Sequence, residues 1–181
     1  MRIRNDQLKA RAAEAGLTSE QLGESVSRTG LEGPKAERAV RNWMAGRDTP
    51  RCKASDIRRL ASTIGCEVRD IARFDSSVNQ HRGSTQKARL VVDMIRGRTY
   101  SEADQILRFT HKRAAENVRK ALNAAASDAE MAGADLNSLF VSKITVDEGQ
   151  VIKRFKAKDR GRAHPILKQT SHITVGVQES V

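Results

Sequence analysis

Residues Leu139 to Gln178 constrain this chain most: L-F-V-S-K-I-T-V-D-E-G-Q-V-I-K-R-F-K-A-K-D-R-G-R-A-H-P-I-L-K-Q-T-S-H-I-T-V-G-V-Q. Two alternating apolar runs, Leu139–Val146 and Ile173–Val177, read as strands. Between them lies an arm with almost nothing to build a core from. From Gln150 to Thr170 its cations are Lys153, Arg154, Lys156, Lys158, Arg160, Arg162 and Lys168, and its one acid is Asp159. Folded back near Asp159–Gly161, the arm makes a finger about 30 Å long, at about 3.3 Å per residue. A lone two-stranded ribbon is marginal in water, and like charges on both of its faces repel. The arm therefore needs an anionic partner. Gly161, its only glycine, suits a position of positive φ. Pro165 suits an unpaired ribbon edge.

The whole chain is basic. Its 181 residues carry net charge +11, which points to a polyanion, with nucleic acid ahead of an acidic membrane surface. No apolar run approaches the roughly 18 residues needed to span a bilayer, and M-R-I-R-N-D-Q-L-K lacks the apolar centre of a signal peptide. The expected location is the cytoplasm. Cys52 and Cys66 are read as packed thiols. One Trp, one Tyr and four Phe leave little for stacking on bases, so phosphate contact is the expected mode of binding.

A polar seam without periodicity, Asp75–Gly83, separates two halves of different construction. Domains are expected at 1–78 and 79–181. The first half reads as short helices: one around Leu8, Ala12 and Ala15, one from Thr18, one over Lys35–Ala45, one over Lys53–Ile64 and a short piece at Val68–Ala72. In the second half Ser84 caps a helix that runs to Arg96, with Gly97 as its stop. Ser101 caps the next, which continues towards Met131 with a bend near Phe109–His111. Ala115, Val118, Leu122, Ala125 and Ala129 form a seam of small residues along it.

The motifs V-D-E-G, K-R-F, G-R-A and K-Q-T-S-H-I-T-V closely resemble the signature of the bacterial large-subunit ribosomal protein L22 family. S-T-Q-K-A-R-L-V-V-D-M-I-R-G (Ser84–Gly97) and the Ala-rich helix extend the resemblance over about Asn79–Glu179. It implies an α+β domain, with helices on a small antiparallel sheet and a long protruding β-hairpin. It also implies a structural role in the large subunit. The partners would be large-subunit (23S) ribosomal RNA, neighbouring ribosomal proteins, and the nascent peptide passing the hairpin tip in the exit tunnel. Lys87, Arg89, Arg96, Lys153, Arg154, Lys156, Lys158, Arg160, Arg162 and Lys168 would then bind ribosomal RNA. The tip would fall within Lys156–Ala163, centred on Lys158, Asp159, Arg160 and Gly161. The chain departs from the family pattern at Gln150 and Ala157, where prolines usually stand, at Asp159, and at Gln169, where arginine is usual.

The first half lies outside that family's usual extent. T-S-E-Q-L, R-N-W-M-A-G-R-D-T-P and I-R-R-L-A-S-T-I-G-C-E-V-R-D-I resemble the helix-turn-helix domain of the phage-repressor (Cro/C1) type, with extra residues around Gly30–Pro34. An all-α N-terminal domain is expected on that basis. In that fold Arg38, Arg41 and Asn42 would face a DNA major groove, and a DNA-binding regulator is the alternative function. This half is only mildly basic, with 15 cations against 11 acids over residues 1–78 and 18 against 11 over the rest.

Other chemistry is not expected. His81, His111, His164 and His172 stand apart from Cys and carboxylates at ligand spacing, which argues against a metal site. Asp147 and Glu148 are adjacent on a strand and point to opposite faces, so they make no catalytic pair. No phosphate-cradling glycine loop or nucleophile–base pair is present. Neither an enzyme nor a bound cofactor is expected. Lys112, Arg113, Arg119 and Lys120 fit RNA contact and a solvated helix face about equally well.

Overall fold

The computed structural model describes residues 1–179. The last two positions of the expected second domain, 180 and 181, lie outside the described residues. Contacts divide the chain into two compact units. Among the described residues, the first is Met1–Phe74 together with Met131–Ala134, and the second is Asp75–Glu130 together with 135–179.

The first unit contains α1 (Asn5–Glu14), α2 (Ser19–Ser25), α3 (Pro34–Met44), α4 (Ala54–Ile64) and α5 (Val68–Ile71). Helices α2, α4 and α5 start where side chains satisfy free N–H groups. Before α2, Thr18 and Gln21 cap each other: Gln21 N–H donates to Thr18 Oγ1 and Thr18 N–H donates to Gln21 Oε1. Pro34 opens α3, where its missing N–H costs nothing. The helix then buries Ala36, Ala39, Val40 and Trp43, a spacing of three, four and seven residues that defines one face. The Trp43 indole N–H donates to the Pro50 carbonyl at 2.6 Å. Asp56 is fully buried, accepts the Lys53 N–H at 3.0 Å and sits 3.3 Å from Arg28 Nη2. The unit is not wholly helical as expected. A two-residue strand, β1 (Arg2–Ile3), pairs antiparallel with the start of β2 (Ala72–Arg82).

That second strand corrects the sequence reading. The polar stretch read as an unstructured seam is strand through Arg82. In the second unit the strand order is β2, β6 (Thr170–Glu179), β3 (Leu139–Glu148). β3 and β6 run antiparallel in register from Leu139↔Glu179 to Glu148↔Ser171. A bulge at Ser142 shifts that register, so the buried positions step from Leu139 and Val141 to Ile144 and Val146. Ile173, Val175 and Val177 are the buried counterparts on β6.

Three helices complete this unit: α6 (Thr85–Ile95), α7 (Tyr100–Phe109) and α8 (Arg113–Glu130). The single long helix expected from Ser101 is two helices, broken at Thr110–Lys112. The cap of α7 is Thr99, not Ser101: Thr99 Oγ1 accepts the Glu102 N–H at 3.4 Å. α8 packs on β6, α7 and α6. It buries Ala114, Ala115, Val118, Ala121, Leu122, Ala125, Ala126 and Ala129. Small side chains let this helix lie close to its neighbours, and Leu122 supplies the bulk between them. Among the described residues, no helix is long and apolar enough to cross a membrane.

The basic arm forms its own two-stranded sheet, β4 (Ile152–Ala157) against β5 (Ala163–Lys168). Six paired residues per limb span about 20 Å, less than the length expected for the whole arm.

Candidate nucleic-acid interface

The register of β4 and β5 sorts the arm's chemistry. Ile152 pairs with Lys168, Lys153 with Leu167, Arg154 with Ile166, Phe155 with Pro165, Lys156 with His164 and Ala157 with Ala163. Residues directly opposite share a face, and successive residues alternate. One face therefore carries Arg154, Lys156, Lys168 and His164 beside Ile152 and Ile166. The other carries Phe155, Ala157, Ala163, Pro165 and Leu167, with Lys153 as its only cation. Like charge is therefore uneven between the faces: three of the four strand cations share one. Every residue from Lys153 to Gln169 is exposed.

The limbs meet at Lys158–Arg162. Lys158 N–H donates to the Arg162 carbonyl at 2.8 Å, and Arg162 N–H donates to the Asp159 carbonyl at 3.2 Å. Arg160 and Gly161 both have positive φ, 55° and 70°. Two consecutive positive values mark the primed turns whose twist suits a hairpin. Glycine takes that geometry freely, whereas an arginine there costs about 1 kcal/mol. At the base, Gly149 N–H donates to the Thr170 carbonyl at 2.9 Å and the Thr170 hydroxyl donates to the Gln150 carbonyl at 2.7 Å. A Cβ on Gly149 would stand 2.5 Å from Thr170 Oγ1, so the strands converge here only because that side chain is absent.

Beside this base lies a cleft of about 530 Å³, lined by Arg82, Gly83, Ser84, Arg113, Ile152, Arg154, Leu167, Lys168, Gln169 and Thr170. Lys87 and Lys112 line an adjoining hollow with Arg82 and Arg113. The end of β2, the start of α6, the start of α8 and the cationic hairpin face thus converge. The N-terminus of α6 opens here without a side-chain cap from Ser84. Its free N–H groups and positive dipole end add to the field of the surrounding cations. Ion pairs among the described residues of this unit that lie away from the cleft are Asp93 with Arg96, Glu102 with Arg98, Asp104 with Arg119 and Glu116 with Lys120.

The sequence-derived residues fall into groups. Lys87, Arg154 and Lys168 line the cleft and its adjoining hollow. Lys153 and Lys156 stand on opposite hairpin faces, and Lys158, Arg160 and Arg162 surround the turn. Arg89 is exposed and also donates to the Val146 carbonyl at 3.4 Å. Arg96 is paired with Asp93 at 3.0 Å. Of the four cations with two readings, Lys112 and Arg113 line the hollow, while Arg119 and Lys120 are bound to carboxylates of their own unit. Arg82 was missed, because it sits at the end of a stretch read as a linker. In the first unit Arg38 is exposed. Arg41 forms an ion pair with Glu37, and the Asn42 amide donates to the Thr49 carbonyl at 2.7 Å.

His81 sits under the hollow, nearly buried, with its Nδ1 2.6 Å from the Asn117 amide nitrogen. Burial, with Arg113 nearby, lowers its pKa from the ordinary 6.5. Lys87, Lys112 and Arg82 also line this hollow and oppose a further positive charge. The neutral ring accepts the Asn117 N–H, and the protonated ring cannot. Because the folded-state pKa is depressed, this contribution to stability is present above 6.5 and is lost as pH falls below it. We expect the melting temperature gap between wild type and His81→Gln to shrink as pH drops from 8 to 5. A constant gap would refute the assignment. His172 has a structural role: its Nδ1 accepts the Gln80 N–H at 3.2 Å. Among the described residues, no group of three or more His, Cys, Asp or Glu side chains could hold a metal ion.

A family model described as ribosomal protein L22p/L17e matches residues 76–178, which cover all of α6 to α8, the whole hairpin and the cleft.

Proposed function

Because the chain belongs to the ribosomal protein L22p/L17e family, we propose that its cleft and cationic hairpin face are the surfaces that hold ribosomal RNA. The family is one of structural, non-enzymatic ribosomal constituents, and binding of ribosomal RNA follows from membership. One observation carries the assignment of surfaces. Arg82, Arg113, Arg154 and Lys168 come from four separate elements, line one opening, and continue into Lys156 along the hairpin. Several phosphates from different RNA segments would be neutralised at once, which is architectural binding.

The same reading puts the hairpin inside the large subunit, along the nascent-peptide exit tunnel, with Lys158, Asp159, Arg160 and Gly161 at the tip facing the passing peptide. Among the other residues, Lys87 and Lys153 serve as RNA contacts beside the cleft and on the second hairpin face, and Arg162 serves below the tip. Arg89 and Arg96 reach RNA only by sharing or leaving their present partners.

The first unit is then an accessory to this domain, with α2 and α3 as a helix-turn-helix-like pair. A DNA-binding regulator finds little in it. Arg41 and Asn42 are already engaged by Glu37 and Thr49, which leaves Arg38 alone to read a groove.

The test is cosedimentation. The chain should travel with large subunits through a moderate salt wash, and a photoreactive group at position 160 should crosslink to nascent peptide. A chain that stays in the soluble fraction overturns the ribosomal reading. Crosslinks to RNA alone overturn the tunnel placement.

A further inference from the structure

We propose that Phe155 is a stacking platform for an unpaired RNA base, so that the hairpin holds RNA by phosphates on one face and by a base on the other. The proposal rests on the ribosomal RNA reading and adds a second mode of contact to it.

The register carries the argument. Phe155 stands opposite Pro165, on the face that also holds Ala157, Ala163, Leu167 and Lys153. Its side chain is 79% exposed. The residue two ahead on its own strand and the partner of that residue are both alanines, so nothing large covers the ring from the tip side. Lys153, two residues back on the same face, places a cation beside it. An exposed apolar patch marks a contact surface, and the charge around this one selects the partner. The arm from Gln150 to Thr170 holds seven cations and one acid, so a polyanion must run alongside it. An aromatic ring set among phosphate-binding cations is how proteins hold splayed-out bases. Composition alone argued against stacking because aromatics are so few, but one correctly placed ring is enough for one base.

The full chain carrying Phe155→Trp provides the measurement. The natural Trp43 is fully buried, so any change in fluorescence on adding ligand reports on position 155. Three probes are compared: a single-stranded oligouridylate, an RNA duplex of the same length, and inorganic polyphosphate. Saturable quenching by the single strand, with little from the duplex or polyphosphate, is expected. Phe155→Ala should weaken binding of the single strand about 5- to 100-fold and leave duplex binding and the salt dependence unchanged. The side chain lies outside any core, so circular dichroism of this variant should match wild type.

Equal quenching by polyphosphate, or single-strand affinity unchanged in Phe155→Ala, overturns the stacking role while the ribosomal RNA reading stands. Quenching by an apolar peptide in the absence of RNA would mark the patch as a protein contact and also overturn it. A wild-type chain that binds no RNA overturns both readings together.

Discussion

Replacing Arg154, Lys156, Arg162 and Lys168 together by glutamine should flatten the salt dependence of ribosomal RNA binding by about 3 log units per log unit of salt. Each neutralised phosphate contributes roughly 0.7 to 0.9 to that slope. Three of the four side chains share one hairpin face and the fourth flanks the turn. Between 50 and 200 mM salt, wild type should lose affinity about 100-fold more than the variant, because salt rises fourfold over that range. Stability should stay within about 0.5 kcal/mol, since the four residues are exposed. Filter binding across a salt series gives the slope directly. An unchanged slope would mean that the cationic face does not meet phosphate, and the assignment of surfaces would fail with it.

The sequence discloses the arm's charge and the arrangement of that charge unequally. The count of cations is plain in the sequence. Their gathering on one face is not, because a shift of one residue in the pairing of β4 with β5 would move every side chain relative to its partner. Arg82 illustrates another limit. The residues from Asp75 to His81 are polar except Val78, and among Asp75–Arg82 only His81 is buried, so no apolar alternation announced a strand. Sheet hydrogen bonds, not burial, hold that segment, and they are invisible to hydropathy. The Ser142 bulge hid differently, since Leu139, Val141, Ile144 and Val146 keep the right residue types but change phase midway.

Helices were more legible because caps and apolar faces are local. Thr18 and Gly65 mark boundaries that the structure keeps. The exception is the stretch from Tyr100 to Glu130. Its apolar spacing runs on through Phe109, yet Phe109 is 76% exposed and the helix stops there. The engagement of Arg41 and Asn42 was not legible, because their partners, Glu37 and Thr49, become neighbours only once α3 and the loop after it have formed. The cleft needed the whole fold, since its cations come from β2, α8, β4 and β5.

Leu122→Ala should destabilise the second unit by about 2–5 kcal/mol, the cost of deleting a fully buried leucine and leaving a cavity. Ala125→Leu, one turn further along α8, should cost about 1–3 kcal/mol for the opposite reason: Ala125 is fully buried, and extra carbons have nowhere to go without moving the helix. Ala124→Leu is the control. Ala124 is exposed, and the change should stay within about 0.5 kcal/mol. Urea titration monitored by circular dichroism separates the three. The consequence for binding also differs from that of the hairpin variant. α8 begins at Arg113, which lines the cleft, so loosening α8 lowers the fraction of protein with an assembled cleft. The folded fraction keeps its full set of phosphate contacts. Leu122→Ala should therefore lower the amount of RNA bound and leave the salt slope as in wild type, whereas the glutamine variant lowers the slope and leaves stability alone. A reduced slope in Leu122→Ala would mean that the hairpin's hold on phosphate depends on the packing of α8, and that the two surfaces are a single energetic unit.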